Sequence, residues 1–311
     1  MRAFIFPGQG SQSVGMGKAL AAASPAARAV FQEVDDALGQ HLFRLMTEGP
    51  AEELELTENA QPAIMANAIA TLRVLEQEGG VRLADKADYV AGHSLGEYTA
   101  LCAAGAIDLV TTARLLKRRG LAMQAAVPVG IGAMAVLLGA DLDKARAIAE
   151  AAAEGETCAV ANDNDPSQVV LSGHRGAIER AVAIAKDMGA KRAMLLQVSA
   201  PFHCPLMQPA ADAMEGALAD ARIDAPLVPL FANVTAAPVA DADTIRRLLV
   251  EQVTGMVRWR ESVLAMHAAG VDYFVEFGGK VLTPMVKRIA PDAAGTSVVT
   301  MDDVEALVKT L

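Results

Sequence analysis

The chain has 311 residues and a formal net charge of −10, room for one large domain or two smaller ones at roughly 150 residues each. An acidic balance argues against nucleic acid, whose phosphates call for a basic surface, and no apolar stretch approaches the ~20 residues that span a bilayer. Hydrophobic residues make up 53% but aromatics only 4%, so the core must be built chiefly from Ala, Val, Leu, Ile and Met.

The first residues, MRAFIFPGQGSQ, carry a short apolar run that breaks at Pro7-Gly8, unlike a secretory leader. Three cysteines, Cys102, Cys158 and Cys204, are an odd number that suits a reducing compartment. A cytoplasmic protein is expected, with a monomer as the default.

Strand and helix signals alternate along the chain. Residues 2–6 predict a buried strand ended by Pro7-Gly8. Residues 25–38 predict a helix, with Ser24 as N-cap, Pro25 in the first turn and Gly39 beyond the end. Helices are expected over 60–78, 95–104 and 108–126, with a short strand at 88–93. From 130 to 198 the order is β-α-β-β-α-β, the split pattern of ferredoxin-like domains. The larger alternation then resumes: helix 205–221, strand 228–231, helices 241–254 and 259–269, strand 271–277, helix 281–290. The fold class expected is α/β, a hydrolase-like large domain with a mainly parallel sheet (residues 1–128 and 199–311) and an inserted ferredoxin-like small domain (129–198).

Gly92-His93-Ser94-Leu95-Gly96 is a G-x-S-x-G pentapeptide placed where a strand ends and a helix begins. A lone match is often accidental, and this context is what gives the motif meaning. Ser94 would be lifted into the open as a nucleophile, with the Leu95 N–H placed for an oxyanion. Its base must come from five histidines. His93 is expected to support the elbow, His41 to lie at the surface, His174 to cap a helix of the insert and His267 to sit at a helix end. His203 lies in a loop stiffened by Pro201 and Pro205 at the junction of insert and body. It is the candidate base, the alternative being a packed loop histidine. No carboxylate stands out as a third member, so a Ser–His dyad oriented by a neutral acceptor fits better.

The loop Pro7-Gly8-Gln9-Gly10-Ser11-Gln12 follows the first strand, at the sheet edge where ligands bind. It matches neither a Walker loop nor a dinucleotide fingerprint, and a glutamine held by glycines there could offer an N–H to an oxyanion. On the helix 108–126, Lys117 and Arg119 point roughly 200° apart, so one must look inward. A buried cation needs an anionic partner. If the protein supplies none, an anionic substrate is the natural candidate.

Taken together, Gly8-Gln9-Gly10-Ser11-Gln12, Gly92 to Glu97, Arg118-Arg119-Gly120 with Met123-Gln124, Asn162 before Pro166 to Val170, Phe202-His203 and Gly279 to Leu282 resemble the malonyl-CoA:acyl carrier protein transacylase family over nearly the whole chain. That resemblance implies an acyltransferase of fatty-acid synthesis that uses malonyl-CoA as substrate, releases CoA, and has acyl carrier protein as partner, with no permanently bound cofactor and no metal. It implies Ser94 as acyl carrier, His203 as base, and the Gln9 and Leu95 N–H groups as oxyanion donors. Arg119 would bind the malonyl carboxylate, the Gln252 carbonyl would hold His203, and Asn162 would lie near the mouth. Phe202 resembles the malonyl-selective form of its loop. Gly278-Gly279-Lys280 is one residue shorter than the family's usual Gly-x-Gly-Lys. An acidic carrier calls for a basic patch, for which Lys117, Arg118, Lys191, Arg192, Lys280, Lys287 and Arg288 are candidates. A serine esterase or thioesterase with the same Ser–His pair is the rival reading.

Overall fold

The computed structural model describes all 311 residues. Ten strands form two sheets: β1 (Arg2–Phe6), β2 (Tyr89–Gly92), β3 (Gly132–Leu138), β4 (Cys158–Asp165), β5 (Gln168–His174), β6 (Arg192–Leu195), β7 (Leu230–Ala232), β8 (Ala237–Val239), β9 (Tyr273–Phe277) and β10 (Ala294–Val298). The large sheet has the order β10-β9-β1-β2-β7-β8. It is parallel throughout except for β8, which runs antiparallel to β7.

Successive side chains of β1 point to opposite faces, and the core divides accordingly. Phe4 and Phe6 join the main cluster, where both rings pack on Phe277. Ala3 and Ile5 join a second cluster with Trp259, Phe231 and Phe274 on the other face. Helices therefore cover both sides, as the alternating pattern requires.

The small sheet has the order β4-β5-β3-β6 and is antiparallel in every pairing, the arrangement a ferredoxin-like split βαβ unit produces. One face, with Ala133, Ala135 and Leu137 from β3, packs on its own two helices. The intervening Met134 and Val136 belong to the main core. The insert's sheet thus lies with its helices outside and its other face against the body.

The expected strands and helices are found with ends shifted by a few residues; the strand expected at 228–231 is β7, and the helix expected from residue 60 starts earlier, at Thr57–Gln77. Several short or terminal elements have no counterpart in the sequence reading, among them the helices Lys18–Ala23 and Leu42–Glu48, the strands β8 and β10, and the last helix, Met301–Thr310. His174 holds the N-cap position of its helix but does not cap it; its Nδ1 accepts from the Thr157 N–H at 2.9 Å instead. No helix is long and apolar enough to cross a membrane.

Candidate active site

Strands β1 and β2 end side by side, Phe6 opposite Gly92, so the loop after each opens on the same edge. The turn after β2 is sharp. Ser94 sits at φ 54, a left-handed conformation that costs about 1–3 kcal/mol for a non-glycine residue and clusters at functional sites. A Cβ on Gly92 would run into the Gly96 carbonyl, and one on Gly96 into the Phe6 carbonyl. Only glycine lets strand, turn and helix approach this closely. Asn233, just past β7, pins the turn: its Oδ1 accepts from the Ser94 N–H at 2.8 Å and its Nδ2 donates to the Gly92 carbonyl at 2.7 Å.

His203 is 4% exposed and also takes a left-handed φ, 57. Its Nε2 lies 2.7 Å from Ser94 Oγ and its Nδ1 2.9 Å from the Gln252 carbonyl oxygen. A carbonyl can only accept, so Nδ1 carries the proton and Nε2 turns its lone pair to the serine. Burial, with the Arg119 charge adding to it, holds the imidazole down at about 3. The ring is therefore neutral near neutral pH.

Arg119 is the inward-looking cation, 1% exposed. Its Nη1 donates to Gln61 Oε1 at 2.8 Å, and its Nη2 to Gln252 Oε1 at 2.8 Å and Ser94 Oγ at 3.2 Å. Its Nε has no partner, its guanidinium lies over the Tyr98 ring, and it makes no ion pair within the chain. Lys117 is half-buried and spends its ammonium on Gln40 Oε1 and Asn59 Oδ1.

The loop after β1 is tied internally. Gly10 N–H donates to Gln12 Oε1 and Ser11 Oγ to the Gly8 carbonyl. The Gln9 side chain accepts from Thr57 Oγ, which in turn accepts from Gln61 Nε2. The backbone N–H groups of Gln9 and Leu95 donate to nothing in the chain. Both residues line a cavity of about 290 Å³ shared with Ser94, His203, Arg119, Asn162 and Phe202. His93 also lines this cavity, its Nε2 2.8 Å from Asn164 Oδ1.

Every site residue singled out from sequence is thus brought to one cavity, apart from Gln252, which stands behind it. Sequence reasoning missed Gln61, Thr57 and Asn233, which organise the others. Gln61 precedes Pro62 inside a helix that is buried along most of its length, and the absence of any charged residue from Asn59 to Leu72 was the available signal. Asn233 has no local signal. The short Gly278-Gly279-Lys280 turn is accommodated: Gly278 adopts φ 77 against the Ala68 backbone. The buried Glu276 carboxylate accepts from the N–H groups of Val281, Leu282 and Thr283.

Residues 3–288 match the acyl transferase domain family. The malonyl CoA-acyl carrier protein transacylase of Escherichia coli K12 is 48% identical over 288 residues, 92% of each chain. The crystal structure of the acyl-carrier-protein S-malonyltransferase from Bartonella henselae superposes with a TM-score of 0.97 at 52% identity, covering 99% of this chain and 98% of that one. A malonyl-transacylase solved in complex with its type II polyketide-synthase acyl-carrier protein superposes with a TM-score of 0.96 at 40% identity, covering 100% and 99%. With this sequence likeness over nearly its whole length, the chain belongs to the malonyl-CoA:acyl carrier protein transacylase family.

Proposed function

We propose that this chain transfers a malonyl group from malonyl-CoA to the phosphopantetheine thiol of acyl carrier protein, through an ester on Ser94, in fatty-acid synthesis. The observation that carries the reading is Arg119: a buried guanidinium with no carboxylate in contact, 3.2 Å from the Ser94 hydroxyl. Burying such a charge unpaired is costly, and a substrate carboxylate placed beside the reacting carbonyl would repay it.

In the first half-reaction His203 Nε2 takes the Ser94 proton as Oγ attacks the thioester carbon. The oxyanion forms against the Gln9 and Leu95 N–H groups, and such a donor is worth about 2.7–4 kcal/mol in barrier height. The carbon–sulfur bond breaks, CoA leaves with the proton from His203, and the malonyl ester remains on Ser94. In the second half His203 takes the proton of the carrier's thiol, the thiolate attacks the ester carbon, and Ser94 leaves with that proton. The Gln252 carbonyl keeps the imidazole in the tautomer both halves need. The acyl group is carried by Ser94 itself, so no permanently bound cofactor is invoked, and CoA enters as substrate and leaves as product.

The same reading assigns Asn162 to the mouth of the site and Phe202 to selection of the malonyl group, both lining the cavity. It divides the chain into a catalytic body (1–128 and 199–311) and an insert (129–198) that closes the site with Met134. Of the basic candidates for the carrier's acidic surface, Arg118, Lys191, Arg192, Lys280, Lys287 and Arg288 are exposed. Lys117 is engaged inside, and Arg288 pairs with Asp165 at 2.8 Å.

The test is intact mass after incubation with malonyl-CoA, wild type beside Ser94→Ala. A malonyl adduct on the wild type only, discharged by carrier protein faster than by water, is expected. No adduct, or loss to water at the same rate whatever carrier is added, would replace the transferase reading with an esterase.

A further inference from the structure

Behind Arg119 and Gln252 lies a carboxylate that the mechanism does not use. Glu97 is 1% exposed, in the first turn of the helix Gly96–Ala103 that follows the elbow. Its Oε2 accepts from Gln252 Nε2 at 2.8 Å and from the Asn233 N–H at 3.1 Å, while its Oε1 is buried with no partner.

The Gln252 amide could in principle sit either way round. Glu97 decides the matter, because a carboxylate oxygen at 2.8 Å can only be met by the NH₂ end. The Ser94 carbonyl, 2.9 Å from the same nitrogen, makes the same demand. Gln252 Oε1 is thereby turned to Arg119. A carboxylate, an amide and a guanidinium form a chain that ends 3.2 Å from the nucleophile.

We infer that Glu97 is a positioning residue of this site: it fixes the Gln252 amide and through it the Arg119 fork, and its negative charge competes with the substrate's carboxylate for one buried cation. This rests on the reading of Arg119 given under Proposed function. In the free enzyme Glu97 partly balances Arg119 through the intervening amide. When the malonyl carboxylate arrives, two anions share one cation in a water-poor pocket, and Glu97 is the one able to take up a proton. Its half-satisfied carboxyl is suited to that, since the unpartnered Oε1 costs less as a hydroxyl than as half of a carboxylate.

Few other charges bear on it. The helix Leu109–Ala125 brings Arg119, and the helix carrying Glu97 brings Tyr98, whose hydroxyl burial pushes far up. The helix Ala242–Thr254 and the end of β7 bring the amides of Gln252 and Asn233. The helix Thr57–Gln77 brings Arg73 only to the far end, beside Cys102. Burial raises the Glu97 carboxyl from 4.5 to about 7, against the lowering from Gln252, the Asn233 N–H and Arg119.

The test is equilibrium binding of malonyl-CoA and of CoA to the full chain in a Ser94→Ala background, from about pH 6 to 8.5, with Glu97 or with Glu97→Gln. The ratio of the two affinities cancels the titration of the CoA phosphates. The amide introduced by Glu97→Gln can accept from both donors through its oxygen, so geometry is kept and only the charge is lost. With Glu97 the malonyl preference should fall by about tenfold as pH rises, the scale of one pK unit of coupling. With Glu97→Gln it should stay flat and at least as high as the low-pH value. An equal decline in both proteins would overturn the charge role. With Ser94 intact, Glu97→Ala should lower kcat and Glu97→Gln should restore it, and full kcat in Glu97→Ala would overturn the positioning role. Arg119→Met separates the layers. Malonyl preference that survives it would refute the reading of Arg119, whereas preference lost there, with equal slopes at position 97, would refute only the inference about Glu97.

Discussion

Replacing Arg119 by lysine and by methionine separates what the fork contributes from what the charge contributes. Arginine offers five N–H groups. Three are spent on Gln61, Gln252 and Ser94 Oγ, which leaves two, one of them on the unpartnered Nε. Lysine offers three. If it keeps Gln61 and Gln252 it has one left, so the substrate carboxylate loses at least one charge-assisted bond. Such a bond is worth about 1.5–3 kcal/mol, or roughly 10- to 150-fold in kcat/KM for malonyl-CoA. Methionine loses the charge and both bonds, roughly 10²- to 10⁴-fold by the same reckoning. Stability should fall as well in Arg119→Met, because Gln61 Oε1 and Gln252 Oε1 lose their buried donor and Glu97 loses the cation that partly balances it. The assay is the initial rate of transfer from malonyl-CoA and acetyl-CoA, with thermal unfolding of the same samples. Acetyl transfer, which needs no carboxylate contact, should fall far less. If Arg119→Met moves malonyl within a few-fold of the wild type, the claim that this cation binds the substrate carboxylate is wrong.

Asn233→Ala should lower stability by about 2–4 kcal/mol, because it leaves the Ser94 N–H and the Gly92 carbonyl buried without partners, and kcat should fall with it; denaturant unfolding that matches the wild type would count against its role as the pin of the elbow. His203 is held at about 3 in the folded protein against an ordinary 6.5. Adduct formation should therefore show no acid limb from this base near pH 6.5. The unfolded chain binds the His203 proton below 6.5 and the folded chain only near 3, so this group's penalty on stability is absent above the unfolded value and grows as pH falls toward the folded one. The loss of stability between about pH 7.5 and 4.5 should be smaller in His203→Gln, and equal losses would refute the assignment of a neutral ring. Phe202 is 8% exposed at the acyl cavity; Phe202→Ser should open space and raise the relative rate with α-methylmalonyl-CoA, measured in competition with malonyl-CoA.

The parts of this site that were legible in the sequence are those whose chemistry is written locally. Ser94 was readable because two glycines must flank a turn whose neighbours are backbone carbonyls. Helical geometry required only that Lys117 or Arg119 look inward, and the family resemblance picked Arg119. His203 was readable only as the histidine of a stiff junction loop, because the Gln252 carbonyl that orients it lies 49 positions away. Asn233 was illegible, since its partner lies 139 positions away; Glu97 closed a motif of the resemblance, but its role was not legible because its partner lies 155 positions away. The fold divides the same way. The insert was readable from its strand and helix order. The strand β10 and the last helix, Met301–Thr310, were missed; β10 (AGTSV) is an edge strand with β9 as its single partner and only Val298 buried, so it lacks the apolar run that marks β1.

Gln252 explains why no acid stands behind His203. Its backbone carbonyl fixes the Nδ1 proton, and its side chain holds Arg119. With Glu97 already behind it, a carboxylate in that place would be a second anion near the Arg119 cation. Gln252→Glu tests this directly. The new carboxylate would face Arg119 on one side and Glu97 on the other, where 2.8 Å now separates Glu97 Oε2 from Gln252 Nε2. Two carboxyls so close cannot both ionise, so Glu97 takes the proton and the residue at 252 pairs with Arg119. Malonyl-CoA must then break a buried ion pair to bind, and kcat/KM should drop by roughly 100-fold or more. Support of His203 by the backbone carbonyl is untouched, so acetyl transfer should stay within about tenfold of the wild type, less than the cost of losing one oxyanion donor. A variant that loses acetyl and malonyl transfer equally would show that the Gln252 side chain serves the nucleophile rather than the substrate's charge.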